Sequence, residues 1–255
     1  MSPAYPTPPE SRAYPPAMEI APRIRRLGSG IANSYLVEAG GEVTIVDAGV
    51  AGYWDELLAE LSHQGRSIAD VRAVVLTHGH SDHVGFAERI RRDHSVPVRI
   101  HELDAALARG EAKNPARGWG PVKPLPLLRF LVWGARMGAL RIEPIAQVAA
   151  FGDDATLDVP GSPRVIRVPG HTPGSAALEF AGHRALFVGD AFATYAVTTG
   201  REGPQIAPFT ADADEALKSL DRLTGIEATT ILPGHGQPWT RGIDEAVRLI
   251  RATAP

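Results

Sequence analysis

Cysteine is absent from the 255 residues, which excludes disulfides, thiolate nucleophiles, cysteine-type zinc sites and iron–sulfur clusters. An excess of one charge is also lacking, since 26 Lys+Arg stand against 29 Asp+Glu for a net charge of −3. That balance argues against a chain built mainly to grip nucleic acid or an anionic membrane, and no nucleic-acid partner is expected. No apolar run reaches the roughly 18–20 residues of a membrane span. The best candidate, residues 125–140, is shorter and carries Arg129 and Arg136. The N-terminus has neither a basic start nor an apolar core of the signal-peptide kind. A cytoplasmic location is the default expectation.

What is present is an ordinary globular composition, 44% hydrophobic and 22% charged, long enough for a sizeable core without staples. Residues 1–17 stand apart. They hold Pro3, Pro6, Pro8, Pro9, Pro15 and Pro16 and nothing aliphatic larger than alanine beyond Met1. Such a stretch cannot offset its ordering entropy by burial, so it reads as a disordered arm, with Met18 an alternative start. Residues 18–255 then read as one domain. Residues 34–38 and 43–46 are β-branched and aromatic runs separated by Gly40-Gly41, a hairpin signal. Trp54, Leu57, Leu58 and Leu61 recur at helical spacing. Strands are expected over 73–76, 96–100, 164–168, 176–180, 185–188 and 229–232, with a helix over 84–92. Asp212 with Glu215 three residues on marks another helix start, and Ile243, Val247 and Ile250 share a face of a last one. Strands in both halves, each half ending in helices, suggest two sheets packed face to face with helices outside.

The chemistry concentrates at strand ends. Thr77-His78-Gly79-His80-Ser81-Asp82-His83 follows directly on the apolar run 73–76. Three histidines and a carboxylate so close together are costly unless something positive binds them. His78 and His80 alternate off an extended end and point the same way, while Asp82 and His83 are expected to open the next helix. His171 in Pro169-Gly170-His171, Asp190 in Val188-Gly189-Asp190 and His235 in Pro233-Gly234-His235 each also end an apolar strand beside glycine. These are seven candidate ligands for one cleft. Imidazole and carboxylate donors suit Zn²⁺, and Mn²⁺ or Fe fit the same set.

That order of motifs resembles the metallo-β-lactamase-fold hydrolase superfamily, over residues from about 18 to 253. The resemblance implies an α/β (α+β) fold, a four-layer αββα sandwich of two mixed sheets flanked by helices, with a dinuclear site at one edge. It implies that His78, His80 and His171 hold one metal, that Asp82, His83 and His235 hold the other, and that Asp190 bridges them. Asp82 and Asp190 are the carboxylates it places in catalysis. Asp47, in Val46-Asp47-Ala48-Gly49, matches a position that orients a ligand imidazole. Two zinc ions so held would share a hydroxide that attacks a carbonyl or phosphoryl carbon or phosphorus centre. The reaction expected is hydrolysis of a small-molecule ester, lactone or thioester. The alternatives are a mononuclear iron dioxygenase of the persulfide dioxygenase type, or a phosphodiesterase or β-lactamase of the same fold.

Other residues carry weaker signals. Tyr195, five residues past Asp190, is a candidate substrate contact. His63, His94 and His183 read as solvated, His101 as packing, and Arg-Ile-Arg-Arg at 23–26 and 89–92 as solvated edges. Residues 104–145 form a long insertion rich in Trp119, Phe130, Trp133, Met137 and leucines. Arg129 and Arg136, seven apart, share a helix face and leave the other apolar. That face must meet the body, a second subunit in a homodimer, a membrane surface or a substrate. As a lid over the cleft it would bring Trp133 and Met137 to the substrate.

Overall fold

The structure is a computed structural model and describes residues 17–116, 118–139 and 143–253. Residues 1–16 of the expected arm lie outside the described residues. Ala17, assigned to that arm, is buried, and its N–H donates to Glu60 Oε2 at 3.0 Å.

The first sheet has seven strands in sequential order. They are β1 (Met18–Ala21), β2 (Ile24–Leu27), β3 (Ser34–Ala39), β4 (Glu42–Val46), β5 (Val71–Val75), β6 (Val98–His101) and β7 (Ala149–Phe151). β1 to β4 pair antiparallel, the Gly40-Gly41 turn closing the β3–β4 hairpin, and β4 to β7 pair parallel. Parallel neighbours need crossovers, supplied by α1 (Trp54–His63), by α2 (Ala87–His94) and, between β6 and β7, by the stretch that carries α3 (Ala105–Ala108) and α4 (Pro124–Met137). The second sheet holds β8 (Arg164–Arg167), β9 (Ala176–Phe180) and β10 (Ala185–Gly189). A separate ribbon, β11 (Ala193–Ala196) with β12 (Arg201–Gln205), follows, and β13 (Thr230–Pro233) completes the second sheet in the order β13-β10-β9-β8.

Alternation along the strands builds the layers. Tyr35, Val37, Val46 and Val75 point inward to meet Val165, Leu178, Phe187 and Leu232 of the second sheet. Leu36, Ile45 and Val74 point outward under Leu57 and Leu61 of α1 and Ile90 of α2. On the far side Ile166, Leu186, Val188 and Ile231 meet Leu220, Ile243, Val247 and Ile250. Those last residues belong to the segment after α5 (Ala213–Ser219), which follows α3 (Ala105–Ala108) and α4 (Pro124–Met137) in the chain, and to α6 (Ile243–Thr253). Both faces of both sheets are therefore buried, which is why the strands read as near-continuous apolar runs. The result is the αββα sandwich. Among the described residues, no helix is long and apolar enough to cross a membrane.

Two expectations need correction. The helix expected from Asp82 or Val84 begins only at Ala87. The backbone before it is committed elsewhere: Ala48 N–H donates to His83 O, Gly85 N–H to Gly49 O and Phe86 N–H to Ala48 O. Arg26, read as a solvated edge, is buried, and its guanidinium reaches Gln237 Oε1 at 2.9 Å beside the His235 turn.

Candidate metal centre

β4, β5, β8, β10 and β13 all end at the same rim of the sandwich, the usual place for a site in parallel sheets. Asp47 follows β4, His78 follows β5, His171 follows β8, Asp190 follows β10 and His235 follows β13. All seven sequence-predicted ligands meet there. Their donor atoms fall into three overlapping groups, His78/His80/His171, His78/His83/Asp190 and Asp82/His83/His235, each with its atoms within 4.8 Å of one another. Asp190 Oδ2 lies 3.1 Å from His235 Nε2 and 3.4 Å from His171 Nε2, and its Oδ1 lies 3.7 Å from His83 Nε2. That position, between the two outer groups, is the one expected of a bridge. Gly234 makes the approach feasible, because a Cβ there would stand 2.2 Å from Asp190 Oδ1 and 2.5 Å from His83 Cε1.

Hydrogen bonds behind the rings fix what faces inward. Thr77 Oγ1 donates to Asp47 Oδ2 at 2.8 Å, leaving its oxygen to accept from His78 Nδ1 at 3.1 Å. Thr210 Oγ1 donates to Ala207 O at 2.8 Å and accepts from His171 Nδ1 at 3.1 Å. Asn114 Oδ1, held in place by Ala116 N–H at 2.8 Å, accepts from His80 Nε2 at 3.1 Å. His83 Nδ1 donates to Asp47 Oδ2 at 2.9 Å, and His235 Nδ1 to the carbonyl of Ile31. Each imidazole thus spends one N–H on an outer acceptor and turns its other nitrogen to the centre. His80 Nδ1 and His171 Nε2 face each other at 2.9 Å. Two lone pairs at that distance repel unless a cation accepts both. Among the described residues, buried His78 Nε2, His83 Nε2 and Asp190 Oδ1 have no hydrogen-bond partner. Unsatisfied buried groups are rare and expensive, and these are the atoms a metal would satisfy. The donor set fits.

The electrostatics divide the centre in two. Burial drives the His78 pKa well below its ordinary value, lowers that of His80, and takes His171 down to about 3. Burial also opposes charge on His83, but Asp47, Asp190 and Asp82 outweigh it and raise the pKa to about 10. His235 rises to about 9 in the same way, with Asp190 as the leading attraction against burial. Burial opposes charge on Asp190 as well, and His235 and His83 override it, holding the carboxyl well below the usual range. Without a metal, neutral pH favours the uncharged ring at His78, His80 and His171 and the charged ring at His83 and His235.

Asp47 does more than orient one ring. Its carboxylate takes Thr77 N–H at 2.7 Å as well as His83, so one side chain aligns both ends of the histidine motif. Its φ of +57° turns it back toward them, a conformation aspartate tolerates. Sequence reasoning missed Asp104. It is fully buried and accepts from Gly79 N–H at 2.9 Å, Thr172 Oγ1 at 2.7 Å and Gly174 N–H at 2.7 Å, tying the His78–His80 loop to the His171 loop. Asp104→Ala strands the Gly79 and Gly174 N–H groups, while Thr172 Oγ1 keeps Ser175 Oγ at 2.7 Å, and is expected to cost about 3 kcal/mol. Thermal melting of purified protein checks this, and a drop in Tm of only a degree or two would show the tie to be dispensable.

The remaining candidates are placed differently. The Tyr195 hydroxyl sits near Gly200, alongside Pro126 of α4. Trp133 packs edge-on to Tyr53, with ring centroids 6.4 Å apart, and stacks with Phe130. Met137 packs on the body, its backbone against Gly52. Phe130 meets Phe209, the neighbour of Thr210, so α4 bridges from the Tyr53 side to the His171 side. The insertion does reach the centre, through Asn114 on His80. Its expected ends are body: Asp104, Ala105, Ala108 and Ile145 are buried. His101 is buried and bonded to Asp153, as packing predicts, and His183 is tied to Glu38 O rather than solvated.

Fold and centre together define an αββα sandwich with a histidine–carboxylate metal site at its rim, the architecture of the metallo-hydrolases. Residues 27–235 match the model of the metallo-beta-lactamase superfamily, and the chain belongs to it. The probable metallo-hydrolase YflN of Bacillus subtilis is 29% identical over 87% of this chain and 87% of its own length. A hydroxyacylglutathione hydrolase of Anaeromyxobacter dehalogenans is 29% identical over 79% of this chain and 60% of its own. A metallo-beta-lactamase family protein of Thermus thermophilus, TTHA1429, superposes with TM-score 0.66 at 26% identity, covering 92% of this chain and 80% of that one. TTHA1623 in a di-iron-bound form gives TM-score 0.59 at 29% identity, over 86% and 95%.

Proposed function

We propose that this chain is a metal-dependent hydrolase with a dinuclear centre, cleaving an ester, lactone or thioester of a small molecule. The observation that carries the reading is the set of inward ring nitrogens, each fixed by a hydrogen bond on its far side, converging with the carboxylates of Asp82 and Asp190. His78, His80 and His171 would hold one cation, Asp82, His83 and His235 the other, and Asp190 both, with zinc the metal proposed. Bound there, such a pair supplies a water of lowered pKa, toward about 7, and Lewis-acid polarisation of the substrate oxygen. The protein's own part is positional. Asp47, Thr77, Thr210 and Asn114 hold the imidazoles so that no ring reorients during turnover. Asp82, with a fifth of its side chain exposed against 3% for Asp190, is the carboxylate that reaches incoming water. It would take a proton there and return it to the leaving group.

The test combines elemental analysis with hydrolysis of lactones, thioesters, phosphodiesters and β-lactams by protein purified without chelator. Two metals per chain and turnover of a lactone, ester or thioester are expected. A single iron with oxygen uptake would overturn the hydrolase reading in favour of a dioxygenase, and turnover confined to phosphodiesters or β-lactams would overturn the substrate class.

A further inference from the structure

α4 has two apolar faces, and only one of them is used. Pro126, Phe130, Trp133 and Met137, at i, i+4, i+7 and i+11, turn toward the body. Leu125, Leu128, Leu131 and Val132 turn away, Leu125 and Leu128 each 57% exposed. Trp119 and Val122, just ahead of the helix, are exposed as well. Six of the nine large apolar side chains exposed among the described residues therefore fall between 119 and 132. Clustering of that kind marks an interaction surface, whereas scattered exposed leucines do not.

The charge around this strip has one sign. Residues 112–142 contain Lys113, Arg117, Lys123, Arg129, Arg136 and Arg141 and no aspartate or glutamate, in a chain whose net charge is −3. The near-neutral total thus conceals a basic segment on an otherwise acidic protein. Lys123, Arg129 and Arg136 are exposed, and among the described residues none of them makes an ion pair. Arg129 and Arg136 run along one edge of the outward leucine strip. An apolar helix face edged only by cations is the pattern of a helix that lies in the plane of a lipid surface. A second copy is the poorer occupant. Two-fold pairing of this face would bring the arginines of both chains together with no carboxylate on the face to answer them.

A cavity of about 630 Å³ opens beside the strip. Trp119 and Lys123 stand on its rim, Ile206, Phe209 and Leu217 line it, and Thr210, which holds His171, forms part of its wall. We propose that the outward face of α4 docks this protein on an anionic lipid surface, with the leucine strip in the acyl boundary and the cations among the headgroups. The cavity then adjoins the membrane, where an amphiphile leaving the bilayer meets it first. The docking surface goes beyond the hydrolase reading and does not depend on which bond is cleaved.

The experiment is co-sedimentation of the full-length, metal-loaded protein with vesicles of phosphatidylcholine alone and of phosphatidylcholine with phosphatidylglycerol. Partition into the anionic vesicles only, weakened by high salt, is expected. The double variant L125E/L128E and, separately, R129E/R136E should each weaken it by about tenfold or more. These side chains are exposed, so unchanged Tm and metal content show the fold intact. Absence of partition into anionic vesicles would overturn the proposal. So would light scattering that finds a dimer which L125E/L128E splits into monomers, since the strip would then be a subunit contact.

Discussion

Asp190→Asn is expected to lower turnover by more than about 100-fold while leaving a folded chain. Loss of an outer hydrogen-bond partner of a metal ligand already costs 10–100-fold in affinity or activity, and Asp190 stands closer than that. Its two oxygens lie between His171, His83 and His235, so the amide replaces a carboxylate placed to bridge by a neutral group with one acceptor. Metal content should fall from two toward one per chain, with the His78/His80/His171 group keeping its cation. The amide is nearly isosteric, so near-ultraviolet circular dichroism should match the parent. Full activity with two metals retained would show that Asp190 does not bridge.

The second large effect is a difference between the two halves of the centre in what metal binding displaces. Near neutral pH His78, His80 and His171 are already deprotonated, His171 down to pH of about 3. His83 and His235 are not, with pKa values of about 10 and about 9. The first equivalent of metal should load with almost no proton release, and the second should release up to two protons. Calorimetry in buffers of different ionisation enthalpy measures this. Acid should therefore empty one site well before the other, leaving about one metal per chain near pH 5.5. Equal proton release in both stages would contradict the division. In the metal-free chain the two raised values act on stability in the opposite direction. Their contribution is complete below the ordinary histidine pKa of 6.5 and is lost as pH rises through about 9 and 10. Chelated protein should accordingly melt lower at pH 10 than at pH 7, and metal-loaded protein should change less.

The candidate ligands were legible because His78, His171, Asp190 and His235 each follow a strand beside glycine, with His80, Asp82 and His83 crowded just after the first of them, a local pattern that survives without knowledge of the fold. The sheets were legible where both faces are buried, as in residues 73–76 and 176–180. The β11–β12 ribbon was not, since Arg201-Glu202-Gly203-Pro204-Gln205 has no alternation and a proline inside it. The start of α2 was misplaced because residues 83–86 bond to Ala48 and Gly49, a tertiary choice that propensity does not encode. Asp104, Asn114 and Thr210 carry no signal of their own. Each matters through a partner distant in sequence, Gly174 for Asp104, His80 for Asn114 and His171 for Thr210.

The hydrogen bond from His80 to Asn114 means that the insertion is not an exchangeable module. Asn114 is the acceptor that keeps His80 Nδ1 bare, and it belongs to the same stretch that carries the aromatic bridge and the leucine strip. A chimera whose insertion lacked an acceptor at position 114 would release the far side of the His80 ring, with His80 itself left untouched. Under the proposed metal-binding reading, substitutions in this stretch would therefore alter metal retention together with the surface that α4 presents.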